Sequence, residues 1–230
     1  MTPILLIPGL LCSEEIFAPQ LPALWPQGPV TIASPLAGDT IPDMAARILA
    51  HAPPRFALVG VSMGGYIALE ILRQAQERVV KLALVCTSAR PDTPEQTAAR
   101  RKMLAQAAAV GFERFLALGA DALTHPDRKG DPALNAASIR MGRAVGLEGF
   151  VRQTEAVIAR ADSRPLLAGI QVPTTVIVGD MDPLTPLTLS EEMAAAIPGA
   201  TLVVAPECGH VITLERPEVV NGALVEWLAR

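Results

Sequence analysis

Gly60-Val61-Ser62-Met63-Gly64 decides how this chain is read, because it sets a serine between two glycines where a strand hands over to a helix. Upstream, Phe56-Ala57-Leu58-Val59 is an apolar run of strand length. Downstream, Ile67, Ala68, Ile71, Leu72 and Ala75 recur at helical spacing. A side chain on so sharp a corner cannot bury itself, so its hydroxyl points outward above the sheet. A Cβ on either side would collide with the neighbouring strand or helix, which calls for glycine there. The helix start aims free N–H groups and partial positive charge at the corner, favouring negative charge that develops on oxygen. A pattern of this kind arises by chance only about 0.05–0.1 times in such a chain. The serine therefore reads as an activated nucleophile rather than a packing turn.

Short apolar runs extend in both directions, at Ile4–Ile7, Val30–Ala33, Phe56–Val61, Leu82–Cys86, Thr175–Val178 and Leu202–Val204. Most are continuous rather than alternating, as parallel strands covered on both faces require. Helical segments separate several of them. One follows Thr40, with Asp43 three residues on as an approximate capping box. Others cover Gly65–Gln76 and Ser190–Ile197, and the last starts near Pro217. This alternation predicts an α/β fold with a doubly wound, mainly parallel sheet of about six strands and ligands above the strands' carboxyl ends. Between 88 and 165 the strand pattern stops. Helical spacings around Met103–Val110, Phe112–Leu118, Leu134–Val145 and Phe150–Ile158, punctuated by Gly111, Gly119, Gly130, Gly146 and Gly149, predict a helical cap insertion. Residues 1–87 and 166–230 then form the core.

The chain has 230 residues, half of them hydrophobic, with a mean hydropathy of +0.36, so disorder is not expected. A net charge of −4 and a pI near 5.4 argue against nucleic acid or an anionic membrane as partner. Cys12, Cys86 and Cys208 are odd in number and lack CxxC spacing, so neither a disulfide framework nor a zinc site is suggested. The apolar N-terminus lacks a basic region, and Pro3 and Pro8 suit a strand and loop better than a signal peptide. Ile16 to Gly38 carries no charge, but its five prolines exclude a membrane helix. A cytoplasmic protein with a small-molecule substrate is expected; the oligomeric state is left open.

A serine hydroxyl needs a base within hydrogen-bond reach. Of three histidines, His51 ends a predicted helix and His125 lies in the insertion. His210, in Glu207-Cys208-Gly209-His210, follows the last predicted strand on the carboxyl edge where Ser62 emerges. A base needs a carboxylate to fix its tautomer. Gly179-Asp180-Met181-Asp182-Pro183 offers two. Asp180 lies near the strand and suits turn capping; Asp182, further into the loop, is the preferred partner of His210. For the oxyanion, Met63 N–H at the helix start and Leu10 N–H after Pro8-Gly9 are the expected donors, with Gly9 allowing close approach.

With Ser62, Asp182 and His210 in that order, Gly64-Gly65 after the serine, Leu184-Thr185-Pro186 after the acid and Glu215-Arg216-Pro217 after the base, the chain resembles the α/β-hydrolase superfamily over all but the insertion. The resemblance implies Ser62 as nucleophile, His210 as base and Asp182 as acid, with no cofactor and no metal. Two departures stand out. Pro8-Gly9 replaces the His-Gly common in the oxyanion loop, and the usual N-terminal antiparallel hairpin is not expected, the first predicted strand beginning almost at Met1.

A serine nucleophile points to cleavage of a carboxylic ester through an acyl-enzyme. Leu11, Phe112, Phe115, Met141 and Phe150 are candidate pocket residues for a largely apolar substrate. The same triad also serves enol-lactone hydrolysis, carbon–carbon bond hydrolysis, cofactor-free perhydrolysis and some lyases, to which Lys102 or Lys129 could contribute. A non-catalytic binding protein is the alternative of a different class.

Overall fold

In the computed structural model, which describes residues 1–230, the continuous apolar runs become strands because only a sheet covered on both faces removes every side chain of such a run from water. In chain order the elements are β1 (Ile4–Ile7), α1 (Leu21–Leu24), β2 (Val30–Ile32), α2 (Ile41–His51), β3 (Phe56–Val61), α3 (Met63–Ala75) and β4 (Val79–Val85). They continue with α4 (Pro94–Val110), α5 (Phe112–Gly119), α6 (Pro132–Ile158), α7 (Arg164–Leu167), β5 (Thr174–Gly179), α8 (Leu187–Ala196), β6 (Thr201–Ala205), α9 (Ile212–Glu215) and α10 (Pro217–Ala229). The six strands form one sheet in the order β2-β1-β3-β4-β5-β6, every pairing parallel. The expected doubly wound architecture is present.

Alternate residues of each strand feed two cores. Leu5, Ile7, Leu58, Leu82, Leu84 and Val176 face α2, α3 and α8 through Met44, Ile48, Ile67, Ile71 and Met193. Ile4, Leu6, Val59, Val61, Val85 and Ile177 face the opposite layer, where Val220, Leu224 and Trp227 of α10 pack with Ile16, Phe17 and Leu24. Turns Glu14–Gln20 and Trp25–Gln27, together with α1, fill the Pro-rich stretch that shows no periodicity in the sequence.

Several boundaries differ from expectation for local reasons. Thr40 Oγ1 accepts from Asp43 N–H (3.2 Å), but the Asp43 carboxylate pairs with Arg47 instead of returning to Thr40, so the capping box is half formed. The helix expected from Met103 begins at Pro94, where Thr93 and Gln96 make a complete capping box. Gly146 (φ 72°, ψ 167°) breaks the helical path within Pro132–Ile158, whereas Gly149, expected as a second break, stays helical and packs beside Leu36. No helix is long and apolar enough to cross a membrane.

Candidate active site

Ser62 N–H donates to Val85 O (2.9 Å), which extends the β3–β4 pairing to the corner before the chain turns into α3. There Ser62 adopts φ 54° and ψ −115°, a conformation that costs a non-glycine residue energy and lifts its side chain off the sheet. Gly64 permits the tight handover: a Cβ on it would overlap the carbonyl oxygens of Ile7 and Pro8. Thr87 Oγ1 donates to Ser62 O (2.8 Å) and steadies the corner from β4's end.

Two loops on the same carboxyl edge bring the other groups to Ser62. His210 Nε2 lies 2.9 Å from Ser62 Oγ, and His210 Nδ1 lies 2.7 Å from Asp182 Oδ2. Asp182 is held by its own loop. Oδ1 accepts from Leu184 and Thr185 N–H (both 2.8 Å), and Oδ2 accepts from Thr185 Oγ1 (2.7 Å). Burial raises the Asp182 carboxyl, but the imidazole and the Thr185 donors outweigh it and bring the group below the ordinary carboxylate value. Asp180 instead accepts from Cys208 N–H (3.0 Å), tying the two loops together. The histidine loop is also seated from the β4–β5 connection, where Leu123 O accepts His210 N–H (2.8 Å) and Glu215 Oε2 accepts His125 N–H (2.8 Å).

Gly9 brings the loop after β1 against the corner, where a Cβ on it would lie 3.3 Å from Ser62 Cβ. The next residue, Leu10, keeps its N–H free of any protein acceptor. Met63 opens α3, and a first-turn N–H has no intrahelical partner. Met63 thus directly follows Ser62, and Leu10 directly follows the glycine that packs against it. Phe112, Phe115 and Phe150 stack with ring centroids 5.2–6.3 Å apart, and Leu10 and Leu11 pack against that cluster. Phe150 is wholly buried in the stack, and Met141 joins the core on the α10 side, among residues that include Val61 and Cys208.

The remaining candidates stand apart or are occupied. His51 is exposed at the end of α2, and His125 Nδ1 accepts from Asp127 N–H (3.2 Å). Lys102 and Lys129 are exposed. Cys86, Asp182 and His210 each bring one potential ligand atom within 4.8 Å of the others. Burial and then the Asp182 charge push the Cys86 thiol well above its usual range, which keeps it a poor ligand and a poor nucleophile. Burial likewise pushes Cys12 and Cys208 up to about 12.

Sequence reading quoted Thr185 only within a motif, without a role, and missed Thr87, Leu123 and Gln153, whose side-chain oxygen accepts Leu11 N–H (3.1 Å). The Asp182-Pro183 turn could have pointed to Thr185, three residues after the acid. Nothing in the sequence around the others marks them.

A parallel sheet that presents a serine at a strained corner after its third strand defines the class of the alpha/beta hydrolases. The chain belongs to that family, whose model matches residues 4–223. It is 31% identical over 206 residues to a pimeloyl-acyl-carrier-protein methyl ester esterase from Aromatoleum aromaticum, covering 80% of this chain and 78% of that one. Among solved structures, a thermophilic esterase from Thermogutta terrifontis superposes with a TM-score of 0.86 at 28% identity, over 100% of this chain and 90% of the other. The enol-lactonase from Burkholderia xenovorans LB400 superposes with a TM-score of 0.89 at 25% identity, over 100% and 92%. The homologues include hydrolases, esterases among them, and a putative non-heme bromoperoxidase from Mycobacterium tuberculosis, 31% identical over 82% of this chain and 74% of that one.

Proposed function

We propose that this protein is a serine hydrolase that cleaves carboxylic esters of small to medium, largely apolar substrates through an acyl-enzyme. One observation carries the reading: a continuous hydrogen-bonded line from Ser62 Oγ through His210 to Asp182, with separations of 2.9 and 2.7 Å. In this reading His210 Nε2 takes the Ser62 proton as Oγ attacks the ester carbonyl carbon. Asp182 accepts from Nδ1–H and stabilises the imidazolium. Leu10 and Met63 N–H bind the tetrahedral oxyanion, each such donor being worth roughly 10²–10³ in turnover. The C–O bond to the alcohol then breaks as His210 returns the proton to the leaving oxygen. Water, activated by the same imidazole, releases the acid and restores Ser62.

The connection between β4 and β5 serves in this proposal as a cap over the site, with Phe112, Phe115 and Leu11 as apolar wall. Pro8 in place of histidine leaves the backbone donor intact. The likeness to an enol-lactonase supports a second reading, in which the same steps open a cyclic ester and the enolate leaves while still attached to the acyl group.

Hydrolysis of p-nitrophenyl acetate and butyrate by the wild type and Ser62→Ala tests the proposal. Loss of several orders of magnitude in kcat/KM is expected. Equal, negligible rates in both proteins, with a ligand still shifting Tm, would instead identify a binding protein. A panel of acyclic esters and lactones separates the two hydrolytic readings.

A further inference from the structure

Asp182 to Thr185 is an Asx-type turn, in which a carboxylate accepts backbone N–H groups two and three residues further on. Asp182 Oδ1 takes both, from Leu184 and Thr185 (2.8 Å each). The turn needs only that one oxygen. Hydrogen bonds at such an oxygen tolerate a broad range of directions, so on their own they leave the carboxylate free to rock about Oδ1. The other oxygen, Oδ2, is the one that faces His210 Nδ1 (2.7 Å), so rocking would spoil its aim.

Thr185 supplies a second grip. Its Oγ1 donates to Oδ2 (2.7 Å) while its N–H donates to Oδ1, so a single residue holds both oxygens. The hydroxyl lies 3.4 Å from His210 Nδ1, and two donors therefore converge on Oδ2 side by side. Thr185 is only 2% exposed, which leaves water little access to replace the bond. Its own side chain is stiff at χ1, and Pro186 after it confines its backbone to the extended region. Turn-making alone calls for no hydroxyl at this position, since any residue with an N–H serves it.

We infer that Thr185 is a positioning residue: its N–H and hydroxyl grip the two oxygens of Asp182 and so present Oδ2 to His210 Nδ1. The inference rests on the ester-hydrolase reading of Ser62. Its consequence is that the aim of the acid is set inside its own turn, by a side chain that touches no reacting atom.

Two measurements test it, on Thr185→Val, which keeps the shape and the N–H, and on Thr185→Ser, which keeps both donors. Titration of the Asp182 carboxyl carbon, followed by NMR, reads the grip without turnover. Its midpoint should rise by about one pH unit in Thr185→Val, because losing a donor to the ionised form favours the neutral one, and by less than about 0.3 in Thr185→Ser. Neighbouring groups leave that midpoint readable. The Cys86 thiol from the end of β4 and the Cys208 thiol from the His210 loop are pushed far up and stay neutral, and Asp180 is turned to Cys208 N–H.

Kinetics with p-nitrophenyl butyrate read the consequence, with kcat taken per active site titrated by a fluorophosphonate and Tm recorded for every variant. Thr185→Val should lower kcat roughly tenfold with KM within about twofold, and Thr185→Ser should stay within about threefold of the wild type. Equal falls in both variants would assign the effect to the packing of the methyl group and overturn the inference. So would an unchanged kcat or an unmoved midpoint in Thr185→Val. A wild type that neither turns over esters nor takes the fluorophosphonate would sink the reading of Ser62, while the titration would still decide the grip.

Discussion

Asp182 shows how far a residue's environment sets its task. Burial alone would favour its neutral form, yet the imidazole and the Thr185 donors hold it ionised and lower its carboxyl. Asp182→Asn keeps the shape but presents an amide to Nδ1, where it can stabilise the wrong tautomer. A fall in kcat of roughly 10³–10⁴ is expected, measured on the same chromogenic esters. The lowered carboxyl also predicts a pH dependence of stability. Its contribution is fully present above the unfolded value of about 4 and is lost as pH falls through the lower native value. The Tm difference between wild type and Asp182→Asn should therefore be largest near neutrality and shrink in acid. A difference that stayed constant down to pH 3 would contradict the lowering. At this scale Ser62 and His210 were legible in the sequence, because flanking glycines and a place after a strand are local signals. Choosing Asp182 over Asp180 rested on reach alone, and the hydrogen bond from Cys208 N–H now gives Asp180 a different occupation.

At the scale of elements, the loops after the strands matter more than the strands. The His210 loop lies against the segment Leu123–His125, which meets it backbone to backbone. A Cβ on Gly209 would stand 2.6 Å from both His125 N and Leu123 O, atoms that cannot rotate aside. Gly209→Ala must therefore move either the loop that carries His210 or the segment that receives its N–H. A drop in kcat of at least about tenfold is expected, with a stability loss of roughly 1–3 kcal/mol seen in melting curves. Unchanged kcat would show that the imidazole keeps its place without that seat. Helices α2, α3 and α10 were legible through their apolar spacing, to within two residues at their starts. The start of α4 was not. Only Ala107 of that helix is buried, so its sequence carries almost no apolar stripe, and its capping box at Thr93 was the signal passed over.

Across the whole molecule, two cores grip one sheet, and Trp227 anchors the C-terminal helix to its far end. The indole is fully buried and its Nε1–H donates to Pro173 O (3.0 Å), just before β5. Lys81 Nζ donates to the Trp227 and Leu228 carbonyls at the end of α10 (3.1 and 2.8 Å), so the strand and the helix hold each other. Trp227→Ala should cost about 3–5 kcal/mol and lower Tm by roughly 10 °C, with kcat of the folded fraction unchanged at 25 °C. Its distance from the catalytic edge makes that separation the check: a matching loss of kcat would mean that the two ends of the sheet are coupled.

The parallel sheet, the serine corner and the chain order of Ser62, Asp182 and His210 follow from the sequence alone. Each is written within a dozen residues, as an unbroken apolar run, a helical period or a glycine that leaves room for a close turn. Convergence of these segments, the seat of His210 on Leu123, and the grip of Gln153 on Leu11 were decided only by the tertiary structure. Those contacts join residues 28 to 148 positions apart through single hydrogen bonds, and a backbone carbonyl or a lone glutamine on a helix looks the same in sequence whether it faces water or a distant loop.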